Sequence, residues 1–128
     1  MIHSLNNSLN NHDSNKEIHL QALEINEKIN NLEGIGISFN SIGATFRNQE
    51  DYRMALEYFT KSKLIAEQIN NKQLLTRALY NIGQCYFGLK IYDSASLYNL
   101  QTYNIANSIN YSRATGAALK AMGYLEAK

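Results

Sequence analysis

The chain contains no proline and no tryptophan, and it has a single cysteine, Cys85. Without proline no fixed φ interrupts a helix and every residue keeps its backbone N–H, so long unbroken helices are allowed. One cysteine excludes an internal disulfide framework and suits a reducing compartment, which makes the cytoplasm the expected location. Charge is also sparse: Lys/Arg and Asp/Glu together make up 18% of the chain and leave a net +1. That balance produces no global field to draw the chain to nucleic acid or to an anionic membrane. No apolar run approaches the roughly 18–20 residues needed to span a bilayer, and the polar N-terminus has no apolar core of a signal peptide. At 128 residues there is room for one domain, and 45% apolar residues suit a globular one.

What the chain does contain is a period of 40. Ile42-Gly43 returns as Ile82-Gly83 and again as Met122-Gly123, and Ile29-Asn30 returns as Ile69-Asn70 and Ile109-Asn110. Between 39–78 and 79–118 the identities include Tyr52/Tyr92, Ala55/Ala95, Tyr58/Tyr98, Ile65/Ile105, Ala66/Ala106 and Ala78/Ala118. Nearly all are apolar or small, so the shared element is packing, while the polar positions differ. A fixed period of 20–50 residues signals a solenoid, in which each unit is one supersecondary element that buries its apolar face on its neighbours.

Within each unit the apolar spacing is helical. Ile18, Leu20, Leu23, Ile25 and Ile29 form one stripe, and Ile35, Phe39, Ile42 and Phe46 a second. Ala55, Tyr58, Phe59, Ile65 and Ile69 form a third; Leu75, Leu79, Ile82 and Tyr86 a fourth. Asn30 with Glu33, and Asn70 with Gln73, have capping-box spacing, Asp51 reads as an N-cap, and Gly88 reads as a C-cap. Residues 1–15 carry a tandem Ser-Leu-Asn-Asn and too little apolar material to offset their ordering entropy, so they read as a loose segment. The expected domain is 16–128: a half repeat 16–31, repeats 32–71 and 72–111, and a terminal helix 112–128. Glycine inside a helix costs about 1 kcal/mol relative to alanine. Gly43, Gly83 and Gly123 at one repeat position therefore predict close helix approach, near Ala55 and Ala95.

Phe39, Ile42-Gly43, Phe46, Ala55 and Phe59, followed by Leu79, Ile82-Gly83, Tyr86 and Ala95, resemble the tetratricopeptide repeat. The unit is 40 residues rather than the usual 34, which is similar to the longer-helix members found in bacterial signalling regulators and kinesin light chains. Asn99 stands where that motif commonly has an aromatic. The resemblance implies an all-α, right-handed α-solenoid of antiparallel helix pairs with about five helices. It also implies a non-catalytic scaffold that binds a protein or peptide on the concave face of its first helices, with no cofactor.

Carried over position by position, that face comprises Asn40, Ala44 and Arg47; Arg77, Tyr80, Asn81 and Gln84; and Lys120 and Tyr124. Asn81 matches a position that often bonds the ligand backbone. Residues 1–67 hold six Lys/Arg against nine Asp/Glu, net −3; residues 68–128 hold six against two, net +4. Arg47, Arg77 and Lys120 would suit an acidic peptide or a free C-terminal carboxylate, since Arg binds carboxylate bidentately. Cys85 is expected to be a helix-packing thiol. His3, His12 and His19 match no metal-ligand spacing, so no metal site is expected. Two other functions fit the pattern. One is the ligand-sensing portion of a bacterial signalling protein, such as a histidine kinase or transcription regulator. The other is homo-oligomerisation through the apolar ends of the solenoid.

Overall fold

A residue with left-handed backbone recurs every twenty positions and sets the architecture. The structure is a computed structural model and describes residues 11–126, with side chains from 14 to 123. Six helices occur among these residues: α1 (Asn11–Lys28), α2 (Leu32–Asn48), α3 (Tyr52–Gln68), α4 (Lys72–Gly88), α5 (Tyr92–Ser108) and α6 (Ser112–Glu126). Six is the number that a half repeat, two full repeats and a terminal helix require. Residues 11–15 of the segment read as loose belong to α1; residues 1–10 of it lie outside the described residues.

Helices α2 to α5 each have 17 residues, about 25 Å at 1.5 Å per residue. Positive φ falls at Asn30 (57°), Glu50 (62°), Asn70 (55°), Lys90 (63°) and Asn110 (57°). Each turn closes with the same bonds. Asp51 N–H donates to the Phe46 carbonyl at 2.9 Å, Asn71 to Ala66 at 2.9 Å, Ile91 to Tyr86 at 2.9 Å and Tyr111 to Ala106 at 2.8 Å. Glu50 and Lys90 donate three residues back, to Arg47 and Phe87, both at 2.9 Å. This is the Schellman arrangement, and it satisfies carbonyls that a helix end otherwise leaves bare. Asparagine tolerates the left-handed region; Glu50 and Lys90 hold it at a steric cost.

Three expected capping roles shift. Gly88 is the last helical residue of α4 and does not take the left-handed conformation, which falls to Lys90. Its missing side chain makes room for the ring of Tyr52, which any Cβ there would meet. At α2 and α4 the caps are Asn31 and Asn71, accepting from Gly34 N–H at 3.1 Å and Leu74 N–H at 3.0 Å. Asn30 and Asn70 are occupied by the left-handed turn, so the capping residue is the second of each Asn pair. Asp51 caps α3 as expected, accepting from Met54 N–H at 3.3 Å. Ile91 precedes α5 with no side-chain cap.

Each helix packs on the next, and α2 also touches α4, as α4 touches α6. The first helices of the units therefore make an inner layer, with α1, α3 and α5 outside it. Ala55, Phe59, Ile82 and Cys85 form the central core cluster. A Cβ on Gly43 would lie 2.7 Å from Cδ1 and Cε1 of Phe59; one on Gly83 would lie 2.8 Å from Oδ1 of Asn99 and 3.6 Å from the Ala95 carbonyl. Close approach is thus real at both glycines, but the principal neighbour is four residues beyond Ala55 and Ala95, which are themselves fully buried. Gly123 has nothing within 4 Å among the described residues. The period also reproduces ring geometry: Phe46 stacks on Tyr58 at 5.6 Å and 12°, and Tyr86 on Tyr98 at 5.6 Å and 16°. Asn99 breaks the repeat: it is 1% exposed and its Oδ1 has no partner among the described residues, an omission that costs about 1–3 kcal/mol.

Gly43→Ala gains helix propensity but overpacks Phe59 and should lose about 1–2 kcal/mol net, whereas Gly123→Ala should gain about 1 kcal/mol, as read by urea denaturation. Equal effects at the two positions would contradict the packing assignment. Lys90→Gly relieves the left-handed strain and should raise stability by about 0.5–1 kcal/mol, with Asn70→Gly close to neutral.

Candidate functional site

The inner faces of α2, α4 and α6 carry most of the residues singled out in the sequence, and the structure sorts them into two groups. Between α2 and α4, Asn81 Nδ2 donates to Asn40 Oδ1 at 3.0 Å, and Arg47 Nη1 donates to Asn81 Oδ1. All three side chains are half-buried. The Arg47 guanidinium also lies 5.9 Å from the Phe59 ring centroid. Asn81, expected to bond a ligand backbone, is thus already engaged through both its donor and its acceptor. Ala44 is half-buried and packs against the core cluster.

Between α4 and α6 the groove is open. Thr76, Arg77, Tyr80, Tyr111, Arg113, Ala114 and Ala117 line a cleft of about 210 Å³. Tyr80 and Ala117 also line a second hollow of about 140 Å³, together with Gln84, Lys120 and Ala121. Arg77, Tyr80, Gln84 and Lys120 are therefore brought together as expected. Tyr124 lies on α6, but its side chain is outside the described residues. Tyr111 and Arg113 were not among the residues expected there. They enter from the turn before α6 and from its first turn, upstream of the mid-helix positions that the repeat motif highlights. The excess of positive charge in residues 68–128 was the available signal for Arg113.

Several features shape the potential in this cleft. Arg77 and Arg113 have no hydrogen-bond or ion-pair partner among the described residues. No acidic residue among those described lines either hollow. Glu33 shares a smaller hollow of about 40 Å³ with Arg77 on the α2 side, without forming an ion pair. In the first turn of α6 the charge on Arg113 opposes the helix dipole, at a cost of about 0.3–1 kcal/mol.

A larger depression of about 580 Å³ lies on the outer helix α3, lined by Leu56, Glu57, Thr60 and Lys61. One helix supplies all four side chains and three of them are exposed, so it is a trough between side-chain rows and not a cleft between elements. Burial pushes the Cys85 thiol from 9.0 up to about 12, against a smaller lowering by Arg47. Such a thiol is neutral and unreactive at physiological pH. Among the described residues no helix is long and apolar enough to cross a membrane.

The family model for the tetratricopeptide repeat matches residues 34–108, that is, nearly all of α2 and the whole of α3 to α5. The chain is also similar to response regulator aspartate phosphatase I of Bacillus subtilis (strain 168), with 36% identity over 78 residues. Those residues are 61% of this chain and 20% of the relative, so the chain spans about a fifth of that protein's length. The α6 side of the cleft, with Arg113 and Lys120, lies beyond the family-model match.

Asn81→Ala should cost about 1–3 kcal/mol of stability in denaturant melts, because it strands Arg47 and Asn40 together; a neutral effect would contradict the hydrogen-bonded chain. Native protein should leave Cys85 unlabelled by a thiol reagent at pH 8 and expose it only on unfolding. The folded state holds the thiol proton up to about pH 12, whereas the unfolded chain releases it from 9.0. Stability should therefore fall as pH rises through that window, and Cys85→Ala should flatten the fall.

Proposed function

Because the chain belongs to the tetratricopeptide repeat family, we propose that it is a non-catalytic, cytoplasmic scaffold that captures an extended segment of a partner protein along α2, α4 and α6. The observation that carries this reading is the pair of adjoining hollows between α4 and α6, which share Tyr80 and Ala117. They combine apolar walls with polar groups at the rim, the usual composition of a binding cleft. An extended segment lying there buries apolar side chains on Tyr80, Tyr111, Ala114 and Ala117, while Arg77, Gln84 and Lys120 supply orientation. The Asn40–Asn81–Arg47 chain then acts chiefly as a strut that fixes the spacing of α2 and α4. In this account residues 16–128 work as one helical repeat domain.

The resemblance to a protein named as a response regulator aspartate phosphatase favours a second reading, in which the chain is the sensing portion of a bacterial signalling protein. Occupancy of the α4–α6 groove would then alter the spacing of the inner helices, and hence the pitch of the superhelix seen by an attached output segment.

Ala117→Trp tests the first reading. Ala117 is half-buried at the junction of both hollows, so an indole fills existing space and helicity should be unchanged by circular dichroism. Selection on a phage-displayed random heptapeptide library should enrich binders on the native chain and not on the variant. Equal enrichment on both, or none on the native chain, contradicts the reading. For the second reading, addition of a selected peptide should change the radius of gyration in solution scattering, and an unchanged value would sink it.

A further inference from the structure

We propose that the chain associates head to tail with further copies of itself, the inner helix α6 of one copy packing on the outer helix α1 of the next so that the stack continues across the seam. The surfaces involved are the two ends of the stack, apart from the groove on its inner face.

The two ends are the complementary halves of one unit. The inner helices α2 and α4 each pack on the outer helix that follows, α3 and α5. Among the described residues, α6 is an inner helix with no outer helix after it, and α1 is an outer helix with no inner helix before it. A shift of forty residues sets each open position beside its buried counterpart. On α6, Leu119 is 53% exposed where Leu79 is 1%, and Met122 is half-buried where Ile42 and Ile82 are fully buried. A Cβ on Gly116 or Gly123 would meet nothing within 4 Å among the described residues, whereas one on Gly36 would lie 3.0 Å from Cγ2 of Ile65, and Gly43 admits the Phe59 ring. On α1, Ile18, Ile25 and Ile29 are 60%, 59% and 66% exposed, while their counterparts Tyr58, Ile65 and Ile69 are half-buried. Repeating the α2–α3 contacts at the seam brings Ile25 of one copy onto Gly116 of the next, and His19 onto Gly123.

Charge and sequence both favour a second copy as the occupant. Residues 1–67 carry net −3 and residues 68–128 net +4. A head-to-tail stack joins the acidic end of one copy to the basic end of another, whereas head-to-head or tail-to-tail pairing sets like charges together. The chain's own residues 1–8 fit the α1 face less well. Ile2 falls at the position of Ile42 and Ile82, but His3 falls at that of Gly43 and Gly83, the place where a side chain obstructs close approach. In α6 that position is Gly123. The seam is more polar than those inside the stack, because Asn15 and His19 stand where Ala55 and Phe59 are fully buried. Association is therefore reversible and concentration-dependent. Because the two joined surfaces differ, every copy leaves one of each free and growth is open-ended.

Sedimentation velocity on the full chain provides the test. The weight-average mass of the native chain should rise from 14.5 kDa past twice that value as concentration increases, and added salt should lower it at a fixed concentration. Ile25→Glu blocks one end and Leu119→Glu the other. Both side chains are exposed, so helicity should be unchanged by circular dichroism. Each variant alone should stay monomeric. An equimolar mixture of the two should form a species of twice the monomer mass and nothing larger, because only one native seam can form. A native chain that stays monomeric up to its solubility limit overturns the inference, and protection of α1 from hydrogen exchange in that monomer assigns its face to residues 1–10 instead. Association lost in only one of the two variants marks like-to-like pairing of a single end and also overturns it, as does association that survives both substitutions.

Discussion

The left-handed turn residue at every twentieth position is the constraint on which the rest of the structure depends. It ends each of α2 to α5 after 17 residues and reverses the chain through the same hydrogen bonds, from Asn30 to Asn110. Helices of one length and turns of one geometry return every side chain to an equivalent place after forty residues. That is why Phe46 on Tyr58 and Tyr86 on Tyr98 stack at the same separation, and why Gly43 and Gly83 both admit a side chain from the helix that follows. The turn needs no glycine: all five positions carry Asn, Glu or Lys. The hydrogen bonds to otherwise bare carbonyls outweigh the backbone strain.

The repeat is most informative where it fails. Phe59 becomes Asn99, and a packed ring against Gly43 becomes an amide against Gly83 whose oxygen has no partner among the described residues. On the inner face the departures have another character. Asn40, Asn81 and Arg47 satisfy one another across α2 and α4, whereas Arg77 and Arg113 between α4 and α6 satisfy nothing within the described chain. One stretch of the groove is therefore a brace and the next is left open, and the two draw on different positions of the repeat. The stack supplies rigidity to each.

Much of the fold was legible from small and apolar residues, because packing at a fixed period leaves a periodic trace. Ile42-Gly43 and Ile82-Gly83 located the inner helices, Ala55 and Ala95 the outer ones, and the Asn pairs the turns. Register to the single residue was harder to read. Asn30 and Asn31 are both plausible caps until the turn claims the first of them, and Gly88 looks like a helix stop until Tyr52 is seen lying against it. The site was legible in part. Arg77, Tyr80, Gln84 and Lys120 sit on the expected face, but the pairing of Asn81 with Arg47 joins residues 34 positions apart through side chains that no period encodes. Tyr111 and Arg113 escaped because they come from a turn and a helix start, which the motif does not describe.

The central claim is that repeated positions build the stack while the inner face that varies performs recognition. Amide chemical-shift mapping tests it most directly, using the isotope-labelled chain titrated with a groove-selected peptide. The account predicts shifts concentrated on α4 and α6 around Arg77, Tyr80, Gln84, Arg113 and Ala117, with Leu56, Glu57, Thr60 and Lys61 on the outer helix α3 unmoved. The largest shifts falling on those outer residues would contradict it.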